Sequence, residues 1–209
     1  MSVDRKTKSW LDNIAPFNAH KMRLKKKKSA LLVIDMQNFF VGSRSGGLGP
    51  IDPAVLKNVK NLIDAFRKAE RPIIYTRHVH KADGSDAGIL GWWWPDMIVE
   101  GTSDSEIHQD IKPRSDEKVI TKHRYSAFYN TDLEIVLRCQ QIEDLVISGV
   151  MTNLCCESTA RDAYFRDFRI FFVADATGTA YEEMHTATLL NLAYGFAYVT
   201  TTENLLTQV

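Results

Sequence analysis

Cys155 and Cys156 stand side by side, a few residues after the apolar run Leu145-Val146-Ile147. That run reads as a short buried strand. The chain then turns at Gly149, and Thr152 or Asn153 can cap a new helix. Both thiols would fall in the first turn of that helix, where the dipole and the unpaired backbone N–H groups favour a thiolate. The same N–H groups could hold the oxygen anion of a tetrahedral intermediate. Two further groups close apolar runs: Asp35 follows Ala30-Leu31-Leu32-Val33-Ile34, and Lys122 follows Lys118-Val119-Ile120-Thr121. Singly, each has a plain alternative: small core residues for the cysteines, a cap for Asp35, a solvated charge for Lys122. Jointly they supply what cysteine-based acyl transfer needs. The carboxylate can take the thiol proton and hand it to a leaving amine. The ammonium lowers the thiol pKa and helps hold charge.

The three can meet only if the strands that carry them lie parallel, because the carboxyl ends of parallel strands share one edge. The sequence supports this. Ala30–Ile34 is apolar without alternation, the pattern of a strand covered on both faces. Further strands are read at Pro72–Thr76, Lys118–Thr121, Leu145–Ile147, Arg169–Ala174 and Phe196–Thr200. Helices fall between them. One starts at Asp52-Pro53 and carries Val55, Leu56, Val59, Leu62, Ile63 and Phe66 at helical spacing. Another opens at the capping-box sequence Thr131-Asp132-Leu133-Glu134, and Thr179 with Glu182 caps a last long helix. Alternating strands and helices give an α/β fold, a doubly wound parallel sheet with helices on both faces.

Composition restricts the function. Lys+Arg and Asp+Glu are both 26, so the net charge is zero and nothing favours nucleic acid or an anionic membrane. No apolar run would span a bilayer. Three cysteines, two of them adjacent, are not a disulfide framework and fit a cytoplasmic location. Residues 1–28 read as an irregular N-terminal arm ending in Lys25-Lys26-Lys27-Lys28, and 29–209 as the hydrolytic domain. Trp10, Leu11, Ile14 and Phe17 would give the arm one amphipathic turn or two, packing on the domain or on a second subunit.

Three segments remain. Gly42–Gly49 is rich in glycine but lacks phosphate-loop spacing. His78, His80 and Asp83 cluster after the second strand, without a second pair at ligand spacing, so no metal is expected. From Val79 to Ser115 there is little periodicity beyond a capping box at Ser103 and Glu106. Loops of this length often act as lids, and this one carries Trp92-Trp93-Trp94, some of which would wall a pocket or an interface.

Three blocks carry a resemblance: Val33-Ile34-Asp35-Met36-Gln37-Asn38, Lys122-x-Arg124-Tyr125-Ser126-Ala127-Phe128, and Gly149-Val150-Met151-Thr152-Asn153-Leu154-Cys155. Their order and spacing resemble the signature of the isochorismatase-like cysteine hydrolases from about Ser29 to Thr202. The resemblance implies a six-stranded parallel sheet of order 3-2-1-4-5-6 and a homo-oligomer. It implies a catalytic triad of Asp35, Lys122 and Cys155. It also implies a cis peptide at Val150–Met151, with the N–H groups of Met151 and Cys155 as the oxyanion hole. Cys156 shares a stripe of small residues with Ala160 and Ala163 and would pack on the sheet, with Cys155 about a quarter-turn away. Cys139 reads as structural.

A cysteine at this place argues for C–N hydrolysis, since true isochorismatases cleave a vinyl ether without one. The expected function is therefore hydrolysis of a small amide, ureide or carbamoyl compound through an acyl-enzyme, with no cofactor. The alternatives are an isochorismatase-type hydrolase or a non-catalytic binding or assembly module. Gln37, Trp92, Trp93, Trp94, Arg124 and Tyr125 are taken as substrate contacts. Nicotinamidases carry Asp-x-His after the second strand. This chain has Arg77-His78-Val79-His80 instead, so neither a metal nor nicotinamide is carried over.

Overall fold

The computed structural model of the protein describes residues 3–42 and 50–209. Its six strands are β1 (Ser29–Ile34), β2 (Ile73–His78), β3 (Lys118–Lys122), β4 (Asp144–Val150), β5 (Arg169–Gly178) and β6 (Tyr198–Thr200). They form one parallel sheet in the order β3-β2-β1-β4-β5-β6, as the sequence implied. Every residue of β1 and β4 is buried, which is why both read as unbroken apolar runs.

The register brings the chemistry together. Ile34 pairs with Gly149, and His78 pairs with Lys122. The ends of β1, β2, β3 and β4 therefore lie side by side. Gly149 makes this closeness possible. Its φ is +116°, and a Cβ there would stand 2.1 Å from the Ile34 carbonyl oxygen. Only glycine fits where the two central strands deliver Asp35 and the cysteine segment.

Helices α1 (Val3–Ile14), α2 (Asn38–Val41), α3 (Pro53–Lys68), α4 (Ile89–Trp93), α5 (Leu133–Cys139), α6 (Glu157–Tyr164), α7 (Glu182–Gly195) and α8 (Thr202–Leu206) complete the described elements. α3 starts as expected, with Asp52 accepting from the Ala54 N–H at 2.9 Å, and it buries Val55, Val59, Leu62, Ile63 and Phe66.

Several local expectations are corrected. The arm is not irregular: α1 is a 12-residue helix. Val3, Thr7, Trp10 and Ile14 recur at three- and four-residue intervals, and all four are buried. Three apolar residues and a threonine are a thin signal among so many charges. Trp10 packs on His185 of α7 and donates its Nε1–H to Glu182 at 3.0 Å. Glu182 is thus held by the arm and does not form a capping box with Thr179, whose hydroxyl donates to Asn153. The Ser103/Glu106 box also does not form, and that segment is a single 3₁₀ turn. At α5, the Thr131 hydroxyl accepts from the Leu133 N–H, while the Asp132 side chain makes no cap. β5 runs four residues past its predicted end at Ala174, and α8 follows β6. The glycine-rich segment lies outside the described residues, apart from Gly42.

The long loop after β2 is tied to the sheet edge at two places. His80 bridges to Val99, and Gln37 bridges to Ile107.

Gly149→Ala is expected to lower stability by ~3 kcal/mol or more, the range of mutations that force strain into a packed core. Gly195→Ala, at the end of α7 with nothing within 4 Å of the new Cβ, is the contrast. It should be neutral or stabilising by up to ~1 kcal/mol. Urea denaturation of both variants tests the pair.

Candidate active site

Asp35 and Lys122 are almost completely buried, at 0% and 1% exposure. Lys122 Nζ lies 2.7 Å from Asp35 Oδ2, 3.3 Å from Cys155 Sγ, 3.0 Å from the Arg124 carbonyl oxygen and 3.2 Å from His78 Nδ1. The three residues at the predicted strand ends thus meet at one point. Thr76, one position from Asp35 across the β1–β2 ladder, clamps the carboxylate. Its hydroxyl donates to Asp35 Oδ1 at 2.6 Å and accepts from the Asp35 N–H at 3.0 Å. Asp35 itself sits at φ +48°, a left-handed conformation uncommon outside glycine, and the clamp on both its N–H and its carboxylate holds it there. Oδ2 lies 2.7 Å from Lys122 Nζ. It faces the ammonium in the ion pair and is the oxygen free to receive a proton.

The cysteine segment differs from the expected helix start. Thr152–Cys156 is one π-helical turn, and α6 begins only at Glu157. Neither Thr152 nor Asn153 caps it: Thr152 Oγ1 bonds His185 Nδ1 at 2.9 Å, and Asn153 Oδ1 accepts from Thr179. The Val150–Met151 peptide is cis. Cys155 faces Lys122 and the pocket. Cys156 is fully buried and belongs to the core, with Ala160 and Ala163.

Burial pushes the Cys155 thiol up to about 12; the Lys122 charge opposes this and the Asp35 charge adds to it. The expected low-pKa thiolate is therefore corrected. At rest the proton is on sulfur. Burial disfavours the thiolate more than the Lys122 ammonium favours it, and the Asp35 carboxylate works in the same direction as burial. Burial also works against the Lys122 cation, but Asp35 and Cys155 outweigh it and hold its pKa above the ordinary lysine value.

A pocket opens in front of Cys155. Its walls are mostly apolar: Phe39, Phe40, Leu90, Trp94, Met97, Ile98, Tyr125 and Leu154, with His78, His80 and Asp96 among the polar residues. Of the expected substrate contacts, Trp94 and Tyr125 line it, joined by a 2.8 Å hydrogen bond from the indole to the phenol oxygen. Trp92 and Trp93 do not. They lie on the outer side of α4, at 74% and 61% exposure. Gln37 is buried behind the pocket, where its amide bonds the His78 N–H, the His78 carbonyl and the Ser105 carbonyl. It ties the lid loop to the sheet. Arg124 donates from Nη1 to the Asp86 carbonyl at 3.1 Å, bracing the loop around Gly88 from outside.

The histidine cluster also rearranges. Asp83 is exposed and accepts from its own turn at Ser85; Asp86 joins the histidines instead. His80, Asp86 and His123 bring ligand-type atoms within 4.8 Å of one another. His80 Nε2 is engaged with His78, His80 Nδ1 with Asp86 and His123 Nδ1 with the Val79 carbonyl.

Thr76 was missed as a site residue, and His78, noted only as one of a histidine cluster, was not read as a partner of Lys122. Both belong to β2, whose apolar start reads as core; only their register opposite Asp35 and Lys122 reveals them. The Ser126-Ala127 motif is anchored to α6 by Ser126 Oγ to Asp162 and by the Ala127 N–H to Thr159, which fixes the segment leaving Lys122.

At pH 8, iodoacetamide should label the exposed Cys139 at least ~10-fold faster than Cys155, since the thiolate is the reacting species. Peptide mass mapping over time checks this, and faster labelling of Cys155 would mean the resting thiol is ionised.

With this geometry in hand, comparison with known proteins is informative. Residues 29–204 match the isochorismatase domain model. The chain is 46% identical over 176 residues to nicotinamidase 3 of Arabidopsis thaliana, covering 83% of this chain and 84% of that protein. It is 31% identical to the ureidoacrylate amidohydrolase RutB of Caulobacter segnis, covering 84% and 83%. The crystal structure of a cysteine hydrolase from Pseudomonas syringae superposes with a TM-score of 0.84 at 28% identity, covering 90% of this chain and 95% of that one. The fold, the matched domain and these relatives agree that the chain belongs to the isochorismatase family and is a hydrolase.

Proposed function

We propose that the protein hydrolyses a C–N bond of a small amide, ureide or carbamoyl compound through a thioester on Cys155. The observation that carries this reading is the meeting of Asp35 Oδ2, Lys122 Nζ and Cys155 Sγ at the floor of an apolar pocket. As sulfur attacks the substrate carbonyl carbon, Asp35 Oδ2 takes the thiol proton and the carbonyl oxygen becomes an anion. The N–H groups of Met151 and Cys155 receive that anion. When the tetrahedral adduct collapses, the C–N bond breaks and Asp35 returns the proton to the leaving nitrogen. Water then attacks the thioester with Asp35 again as base, and the thiol is restored. Lys122 stays an ammonium throughout and balances the negative charge as it passes between Asp35 and the substrate oxygen.

A thiol as basic as Cys155 needs this coupling. Ionisation before attack would be too rare at neutral pH, whereas proton removal during attack avoids a free thiolate. The aromatic walls suit a flat substrate. Nicotinamide and ureidoacrylate, the substrates in the names of two relatives, are both planar amides. The 46% identity to a nicotinamidase brings nicotinamide back as a probe despite the missing Asp-x-His motif. The exposed apolar face of α4, with Ile89, Trp92 and Trp93, supports a homo-oligomer, and three free cysteines support a cytoplasmic setting.

The test is ammonia release from nicotinamide, ureidoacrylate and an N-carbamoyl amino acid. Cys155→Ala should abolish both turnover and the acyl-enzyme mass adduct, and Cys156→Ala should keep both. Asp35→Asn and Lys122→Ala should each cost at least ~10²-fold in kcat. Turnover of isochorismate without ammonia from any amide would replace this reading with vinyl-ether hydrolysis. Turnover of neither would favour a binding module.

A further inference from the structure

His78, at the end of β2, and His80 just after it are not used by the mechanism above, yet His78 touches the catalytic lysine. Lys122 Nζ has four acceptors within 3.3 Å and only three protons to give. An ammonium has no lone pair, so His78 Nδ1 must be the acceptor in their 3.2 Å contact. That fixes His78 as the tautomer with its proton on Nε2. His78 Nε2 lies 2.9 Å from His80 Nε2. His80 Nε2 must then accept, so its own proton is on Nδ1. His80 Nδ1 lies 3.3 Å from Asp86 Oδ1, an acceptor held in place by the Lys81 N–H. A fixed cation at one end and a carboxylate at the other thus allow one proton arrangement. The reverse arrangement places two donors face to face at Lys122.

We infer that His78 and His80 are positioning residues: a one-way imidazole relay, anchored on Asp86, that pins one N–H bond of the Lys122 ammonium. This rests on the reading of Lys122 as part of the reacting triad. A second N–H bond is taken by the Arg124 carbonyl. The third is left between Asp35 Oδ2 and Cys155 Sγ, free to swing toward sulfur as the thiol proton passes to the carboxylate.

The relay has a built-in pH dependence. The groups that face the two rings are Lys122, Asp86, His123 and Arg124, with Asp35 and Cys155 also within 4.8 Å of a His78 nitrogen. Burial, then Lys122, keeps His78 neutral far below the ordinary histidine value. Burial also lowers His80, with Asp86 opposing. Protonation of His80 puts a proton on both its nitrogens. His78 must then flip its tautomer and turn an N–H bond against the ammonium. Acid therefore breaks the hold on Lys122, at a pH below the ordinary histidine value. Asp86→Asn keeps an acceptor for His80 but removes the charge that favours its cation, so the break moves to lower pH.

Two measurements that need no substrate test this. Nitrogen-15 histidine NMR of the whole protein between pH 5 and 8 should show His78 protonated on Nε2 and His80 on Nδ1 at neutral pH. It should show His78 switching tautomer as His80 titrates, with the transition displaced to lower pH in Asp86→Asn. The second is alkylation of Cys155 by iodoacetamide at pH 9. The loss of one charge-assisted hydrogen bond in His78→Leu should slow it about 10-fold. His78→Asn, whose side-chain oxygen reaches the Nδ1 position, should restore it to within about threefold. The opposite tautomer on either ring, equal rates in His78→Leu and wild type, or a stoichiometric metal ion bound to His80 in the purified protein would each overturn the relay. The amide panel fails or succeeds separately, because neither measurement depends on turnover.

Discussion

A carboxylate and an ammonium lie 2.7 Å apart with essentially no access to water, and much of the catalytic edge serves to make that tolerable. Their mutual attraction alone does not repay the loss of hydration, so each needs further partners. Asp35 receives them from the Thr76 hydroxyl, and Lys122 from the Arg124 carbonyl, His78 and the cysteine. These partners come from β2, the segment after β3 and the turn after β4, and the pair itself from the ends of β1 and β3. Satisfying the pair therefore requires the four strand ends to be in register, and the glycine at 149 lets the two central ones approach. The sheet and the site are one problem with one solution.

The sequence made the large features legible and the small ones not. Six strands, their order and the meeting of Asp35, Lys122 and Cys155 could be read because they rest on long apolar runs and on three spaced motifs. The helix of the arm was not legible, because its buried stripe contains one tryptophan, two aliphatics and a threonine among charges. Thr76, and the contact of His78 with Lys122, were not legible for a different reason. Their roles come from which residue lies opposite in the neighbouring strand, and a single strand does not encode that. The thiol was misjudged because the helix-start argument counts the dipole and the lysine but omits desolvation, the largest influence on Cys155.

The lid loop shows how one tripeptide can be divided between tasks. Trp94 turns inward and is fixed by Tyr125, while Trp92 and Trp93 turn outward on a helix of five residues. The loop is long, but it is not loosely attached. Gln37 holds it from beneath through Ser105, and Arg124 holds it from the side through Asp86. Arg124 is also the residue whose carbonyl accepts from Lys122, so one residue braces the loop with its side chain and holds Lys122 with its backbone.

The buried, protonated state of Cys155 has a consequence for the life of the protein outside catalysis. Peroxide attacks thiolates, and susceptibility follows ionisation and access. A sulfur with 5% exposure and a pKa near 12 offers neither. Oxidative damage should instead begin at Cys139, which is exposed at the end of α5 and far from any reacting atom in its role. Burial and a raised pKa thereby shield Cys155 from oxidants that an exposed thiol such as Cys139 meets directly.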